Sequence, residues 1–232
     1  WPHRTRSSRA GLSTERDALS IRIAPDDIGG WRRSDMEITV PRRFNLELEG
    51  VNLAVTVTGL QGEIEVENVE GAITLSNVTG AVSVESVSGD VSLSGIRGAV
   101  SVNTTNKAVL LEDIRGDIEA ETVNGSITMR RIDALRVEAS TVQGIVEYEG
   151  TVRDGGQYYL GTHNGRITMA VPERTNARIS IDTHNGKVET SFPVQLRGRS
   201  DREYTITLGG GSARVQLETF NGSVYLVRPG SR

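Results

Sequence analysis

The chain of 232 residues has no cysteine, six prolines and only 4% aromatic residues. Without cysteine there is neither a disulfide framework nor a thiolate zinc site, and both reducing and oxidising compartments stay open. So few rings cannot fill a thick globular core, although 36% hydrophobic residues suffice for a thin one. No eighteen consecutive apolar residues occur, which excludes a transmembrane helix in this chain. The net charge of −4 carries no electrostatic sign of a nucleic-acid partner. An initiator Met is also missing: the sequence opens Trp1-Pro2-His3, as removal of an export leader or excision from a longer protein would leave it.

What is abundant is glycine, at 26 residues, and it is periodic. From Gly62 to Asp133 a nine-residue unit, Gly-x-Ile/Val-x-apolar-x-x-Val/Ile-x, recurs eight times. A short fixed period of this kind marks a solenoid. The fifth position alternates between Val66, Val84, Val102, Ala120 and Leu75, Leu93, Leu111, Met129, so the true period is eighteen. The expectation is an all-β, single-stranded parallel β-helix with about 18 residues and two strands per turn, small residues facing large ones across a narrow core. Right-handedness follows only from the usual sense of parallel crossovers. A three-sided turn of 27 residues would mix the two flavours in one column and ranks second. Some twenty residues per turn between positions 42 and 228 predicts about nine turns.

Residues 1–17 are polar and Arg-rich, with Arg4, Arg6, Arg9 and Arg16, and read as a tail. Residues 18–52 read as an N-terminal cap, 53–192 as regular turns, 193–203 as a projecting loop, 204–228 as final turns and 229–232 as a short tail. One corner recurs as Asn124-Gly125, Asn164-Gly165, Asn185-Gly186 and Asn221-Gly222, each three residues after or two after a Thr in the pattern Thr-x-Asn-Gly. Asn and Gly both tolerate positive φ, and stacked Asn amides can bond from turn to turn. Val40-Pro41 and Val171-Pro172 are a second echo, a Pro corner followed by an outgoing strand.

Val-Pro before alternating strands, the Gly-x-Ile-x-Val runs, and Gly209-Gly-Gly-Ser212 leading to Phe220-Asn221-Gly222-Ser-Val224 together resemble the bacterial adhesin-type β-solenoid domains of unknown function over about residues 36–228. The resemblance implies a cell-envelope or secreted location and a single β-helix without an established catalytic site. The Arg-rich start lies outside the shared pattern.

No catalytic residues and no cofactor are expected. Glu63, Glu65, Glu119 and Glu121 are the carboxylates a glycan-cleaving β-helix would use, but they alternate with apolar residues and so point to solvent. His163 and His184 occupy the same corner and are read as one turn apart, which makes them weak metal candidates without a third ligand. Outward Thr74, Ser76, Ser83, Ser92, Ser101 and Asn103 are a candidate surface for an envelope glycan or protein. Between residues 62 and 121 there are eleven acidic and three basic residues, whereas residues 1–43 carry nine Arg against six acids. That asymmetry, with exposed ladders at the solenoid ends, makes a homo-oligomer or filament docked through the Arg-rich tail a further expectation. The reading is a non-enzymatic envelope or extracellular module, an adhesin, scaffold or self-assembling subunit, with a carbohydrate-active enzyme or glycan-binding module as the alternative.

Overall fold

The computed structural model describes residues 10–15, 18–23, 38, 40–193, 197–198 and 203–230. Arg4, Arg6, Arg9 and Arg16 lie outside the described residues. After a hairpin of β1 (Ala10–Glu15) and β2 (Ala18–Ile23), long and short strands alternate: β3 (Asn45–Asn52), β4 (Val55–Thr58), β5 (Ile64–Glu70), β6 (Ile73–Ser76), β7 (Val82–Ser88), β8 (Val91–Ser94), β9 (Val100–Asn106), β10 (Val109–Glu112) and β11 (Ile118–Asn124). There follow β12 (Ile127–Gln143), β13 (Val146–Asn164), β14 (Ile167–Ala170), β15 (Ala177–Asn185), β16 (Val188–Thr190), β17 (Arg197–Gly198), β18 (Glu203–Leu208), β19 (Ala213–Asn221) and β20 (Val224–Val227). No helix occurs among the described residues, and hence none long and apolar enough to cross a membrane.

From β3 to β12 each strand pairs in parallel with its counterpart about eighteen residues on, as in Ile64↔Val82↔Val100↔Ile118 and Ile73↔Val91↔Val109↔Ile127. The molecule is therefore a β-solenoid with the expected period. Val66, Val84, Val102 and Ala120 on the long strands, and Leu75, Leu93, Leu111 and Met129 on the short ones, are fully buried in one core. Where the frame loosens, the column of Leu111 and Met129 continues in Tyr148, whose hydroxyl donates to Thr151 O at 2.8 Å. Tyr158, edge-on to Tyr148 at 5.9 Å, donates to Ala134 O at 2.6 Å. Both buried hydroxyls are thus satisfied, as a thin apolar core requires.

The two nine-residue halves are not equivalent. The first half runs straight as the long strand. The second bends after four residues, through left-handed residues Gly59, Asn77, Gly95, Asp113 and Arg131 (φ 53–76°), into single-residue bridges Gln61↔Thr79↔Arg97↔Arg115↔Asp133. Arg131 is the costly member of that column. Its guanidinium donates to both carboxylate oxygens of Asp113, one turn earlier, at 2.7 Å, and this bond holds the exposed Asp113 carboxyl below its usual range. The next corner needs glycine: at Gly116 (φ 148°) a Cβ would sit 2.1 Å from Gly98 O.

The long strands form a nine-row ladder in the order β3, β5, β7, β9, β11, β12, β13, β19, β15. The short-strand ladder matches it row for row: β4, β6, β8, β10, β12, β13, β14, β20, β16. About seven turns follow one another in chain order. The last two rows do not: the chain goes to the ninth row with β15 and β16, and only later fills the eighth with β19 and β20.

Three segment boundaries change. Residues 10–15, expected within a tail, form β1, antiparallel to β2, which itself pairs in parallel with β3. The open edge of a terminal ladder row pairs with any available strand, and no amphipathic period is needed for that. β3, expected in the cap, is the first full row. Within the segment expected as a projecting loop, Arg197–Gly198 pairs with Tyr204 and Thr205 of β18, which in turn lies antiparallel along β15 and covers its outer edge.

Val84 and Val87 separate core from surface three residues apart on one strand. Val84→Glu places an unpaired charge at a fully buried position and should lower stability by several kcal/mol, about 3–5. Val87→Glu, at an exposed corner, should change it by less than about 0.5 kcal/mol. Chemical denaturation of both variants checks the register.

Candidate functional site: an exposed corner stripe and an acidic sheet face

At the end of every long strand, in-register stacking builds three adjacent columns. The inner one is buried and polar: Asn68, Ser86, Thr104, Thr122, Thr141, Thr162, Thr219 and Thr183. From the sixth row onward its hydroxyls donate to the glycine carbonyl of the preceding row, Thr141 to Gly125, Thr162 to Gly144, Thr219 to Gly165 and Thr183 to Gly222, at 2.9–3.1 Å. These bonds fix the corner and aim the next side chain outward.

That next column is Val51, Val69, Val87, Thr105, Val123, Val142, His163, Phe220 and His184. Its six apolar members are 41–44% exposed, and among the described residues Ile38 and Leu135 are the exposed large hydrophobics outside it. Eight gaps at about 4.8 Å make a stripe of about 38 Å. Exposed apolar residues scattered singly need no explanation, but six of them aligned in one column of nine do.

The third column is the amide ladder. Asn124 donates to Asn106 at 3.1 Å, Asn221 to Asn164 at 2.8 Å and Asn185 to Asn221 at 2.9 Å. The expected structural corners Asn124-Gly125, Asn164-Gly165, Asn185-Gly186 and Asn221-Gly222 therefore stack, with Gly165, Gly222 and Gly186 in successive rows.

His163 and His184 are not one turn apart. The Phe220 ring lies between them, parallel to both, with centroids 4.9 Å from His163 and 4.6 Å from His184. Two rows separate the imidazoles, about 9.6 Å, too far to share an ion with bonds near 2 Å. The identical Thr-His-Asn-Gly corners suggested adjacency because the sequence does not show that a later segment is inserted between them. Among the described residues no three His, Cys, Asp or Glu side chains are placed to hold a metal.

The outer face of the long strands is acidic. Glu47 lies beside Glu65, Glu49 beside Glu67, Glu67 beside Glu85, and Glu119 beside Glu138. Like charges opposed on neighbouring strands repel. No ion pair relieves Glu65, Glu67, Glu85, Glu119 or Glu121 among the described residues. Glu63 and Glu65, with Asp117 and Glu119, flank a shallow depression floored by Ala81 and Ser83. All four glutamates singled out in the sequence are exposed on open strands, without walls to exclude water. Of the outward hydroxyl and amide residues, Thr74 and Asn103 are exposed, and Ser76 shares a 3.0 Å bond with Thr58.

Sequence reasoning missed Tyr159, which extends the same outer face. Its hydroxyl donates to Glu218 at 3.1 Å, and partial burial, then the Glu218 charge, pushes its pKa up to about 12. The neutral phenol is favoured in the folded state, so its stabilising contribution is present below the unfolded value near 10 and lost as pH rises through about 12. Burial also raises Tyr148 and Tyr158, so spectrophotometric titration should show several late tyrosine steps, of which Tyr159→Phe removes one and Glu218→Gln moves that one toward 10.

The family model described as Toastrack DUF4097 matches residues 11–226, from the hairpin strand β1 to the final strand β20. No curated protein and no solved structure matches the chain. A family model spanning this whole stack of 18-residue coils settles the affiliation: the chain belongs to the Toastrack DUF4097 family, β-solenoids of unknown function.

Proposed function

We propose that this protein is a non-enzymatic binding scaffold of the bacterial cell envelope or extracellular space, whose corner stripe and acidic face together hold an extended protein segment rich in basic and apolar side chains. The observation that carries this reading is the alignment of six exposed Val and Phe side chains in one corner column, with Thr105, His163 and His184 at its other three positions. A soluble rod gains nothing from that line unless something covers it. The partner's charge follows from the face beside it, where Glu65, Glu67 and Glu85 have no ion pair among the described residues. Its extended shape follows from the stripe, which is one residue wide and about 38 Å long. The adhesin-type resemblance supports the envelope location. The absence of enclosing walls around Glu63, Glu65, Glu119 and Glu121 supports a role without catalysis.

Selection of random peptides displayed on phage against the immobilised protein tests this directly. Selected peptides should be enriched in Arg or Lys together with Trp, Phe or Leu, and their binding should weaken with salt. The triple variant Val69→Ser/Val87→Ser/Val123→Ser should bind them at least about tenfold more weakly, while keeping its melting behaviour. Peptides without basic enrichment, or with undiminished affinity for the triple variant, would sink the reading.

A further inference from the structure

The eighth row is supplied out of order, and this creates a strand-accepting slot. The chain leaves the seventh row at Ala170, turns through Val171 and Pro172, and builds the ninth row with β15 and β16. β18 then doubles back along the outer edge of β15, so that Leu208 lies beside Ala177. Ala213 lies beside the same Ala177 on its other edge. The link Gly209–Ser212 therefore crosses over the start of β15, with Gly209 (φ 56°) and Gly211 (φ 70°) in conformations that suit glycine.

Beyond that link, residues 213–227 form an arm clamped on both sides. Towards the seventh row, Asn221 O accepts from Gly165 N at 3.0 Å and Val227 O from Val171 N at 3.1 Å. Towards the ninth, Val224 N donates to Lys187 O at 2.9 Å and Ala213 N to Asn176 O at 3.0 Å. Val215, Leu217, Val224 and Leu226 are buried. Phe220, Thr219 and Asn221 match the ring, hydroxyl and amide columns of both neighbours.

We propose that this slot exchanges its occupant: it accepts the C-terminal arm of a second copy of the chain, giving a dimer in which each molecule completes the eighth row of the other. Every contact that the arm makes is to rows built before it, so another copy's arm satisfies the slot equally well. The four-residue link, three of them glycine, can open from a turn to an extended connection of about 13 Å without losing a ladder bond elsewhere. This inference is independent of the partner proposed for the stripe.

The chain has no cysteine, so engineered pairs report cleanly. His163 and Phe220 occupy adjacent rows, about 4.8 Å apart, within disulfide reach. Full-length His163→Cys and Phe220→Cys chains would be mixed unfolded, refolded together at low and high concentration, oxidised, and separated on a sizing column and a non-reducing gel. Exchange predicts a dimer fraction that grows with refolding concentration and a covalent heterodimer of the two variants in it. The pair Asn164→Cys and Asn221→Cys, in the same rows, should behave alike. Monomer alone at every concentration, with no mixed disulfide from either pair, would overturn the proposal, provided the His163→Cys/Phe220→Cys double variant closes its internal bond. If that double variant closes no bond, the row order itself is refuted and the proposal falls with it.

Discussion

A single turn of this solenoid bonds almost nothing to itself. Phe44 donates to Gln61, Gly62 to Thr79, Gly80 to Arg97 and Gly98 to Arg115, always across to the neighbouring turn, at 2.9–3.0 Å. Backbone satisfaction is therefore a property of neighbouring turns, and it requires that they have matching lengths and corners. From this one requirement follow the eighteen-residue period, the glycine at Gly116 whose Cβ space is filled by the carbonyl below, and the need to cover the terminal rows with β1, β2 and β18. Where the period slips, at Ala134-Leu135 and Asp154-Gly155, the register shifts and the buried hydroxyls of Tyr148 and Tyr158 take up the loosened backbone groups.

In-register parallel stacking is also why so much of the fold was legible. It converts contacts between rows into a repeat at constant sequence distance, so the alternation of Val66, Val84 and Val102 with Leu75, Leu93 and Leu111 stated the core directly. The inequality of the two halves was less visible, because a nine-residue frame hides which corners are left-handed. Its signal was nevertheless present, as Gly59, Asn77, Gly95 and Asp113 recur every eighteen residues with side chains that tolerate positive φ. The order of the last rows was not legible. A repeated Thr-His-Asn-Gly states which column a residue joins and not which row, and the row of Phe220 is set by a tertiary insertion that leaves no period.

The same rule that buries like with like inside the rod places like with like outside it. A buried Thr column forces its outward neighbour into a line, and a line of valines becomes a stripe. Glu47 falls beside Glu65, and Glu119 beside Glu138, for the same reason, at an electrostatic cost that a random distribution of charges would avoid. Geometry explains why such columns are straight. It does not choose valine and glutamate for them, and that choice points to use of the surface.

The side-chain bonds along the corner are not spread evenly. The hydroxyls of Ser86 and Thr122, in the third and fifth rows, have no partner, whereas Thr141, Thr162, Thr219 and Thr183, in the last four rows, each bond the glycine carbonyl of the row before. The ring stack His163–Phe220–His184 and two of the three Asn–Asn bonds also fall in the last three rows. In the early rows a short corner of chain holds each turn against the next, and a valine suffices there. The eighth row has no such tether to the seventh, since fifty-odd residues intervene between Asn164 and Asn221. Its docking is closed by side chains that are directional and planar, and the corner column carries rings in the three rows that flank the break in covalent continuity.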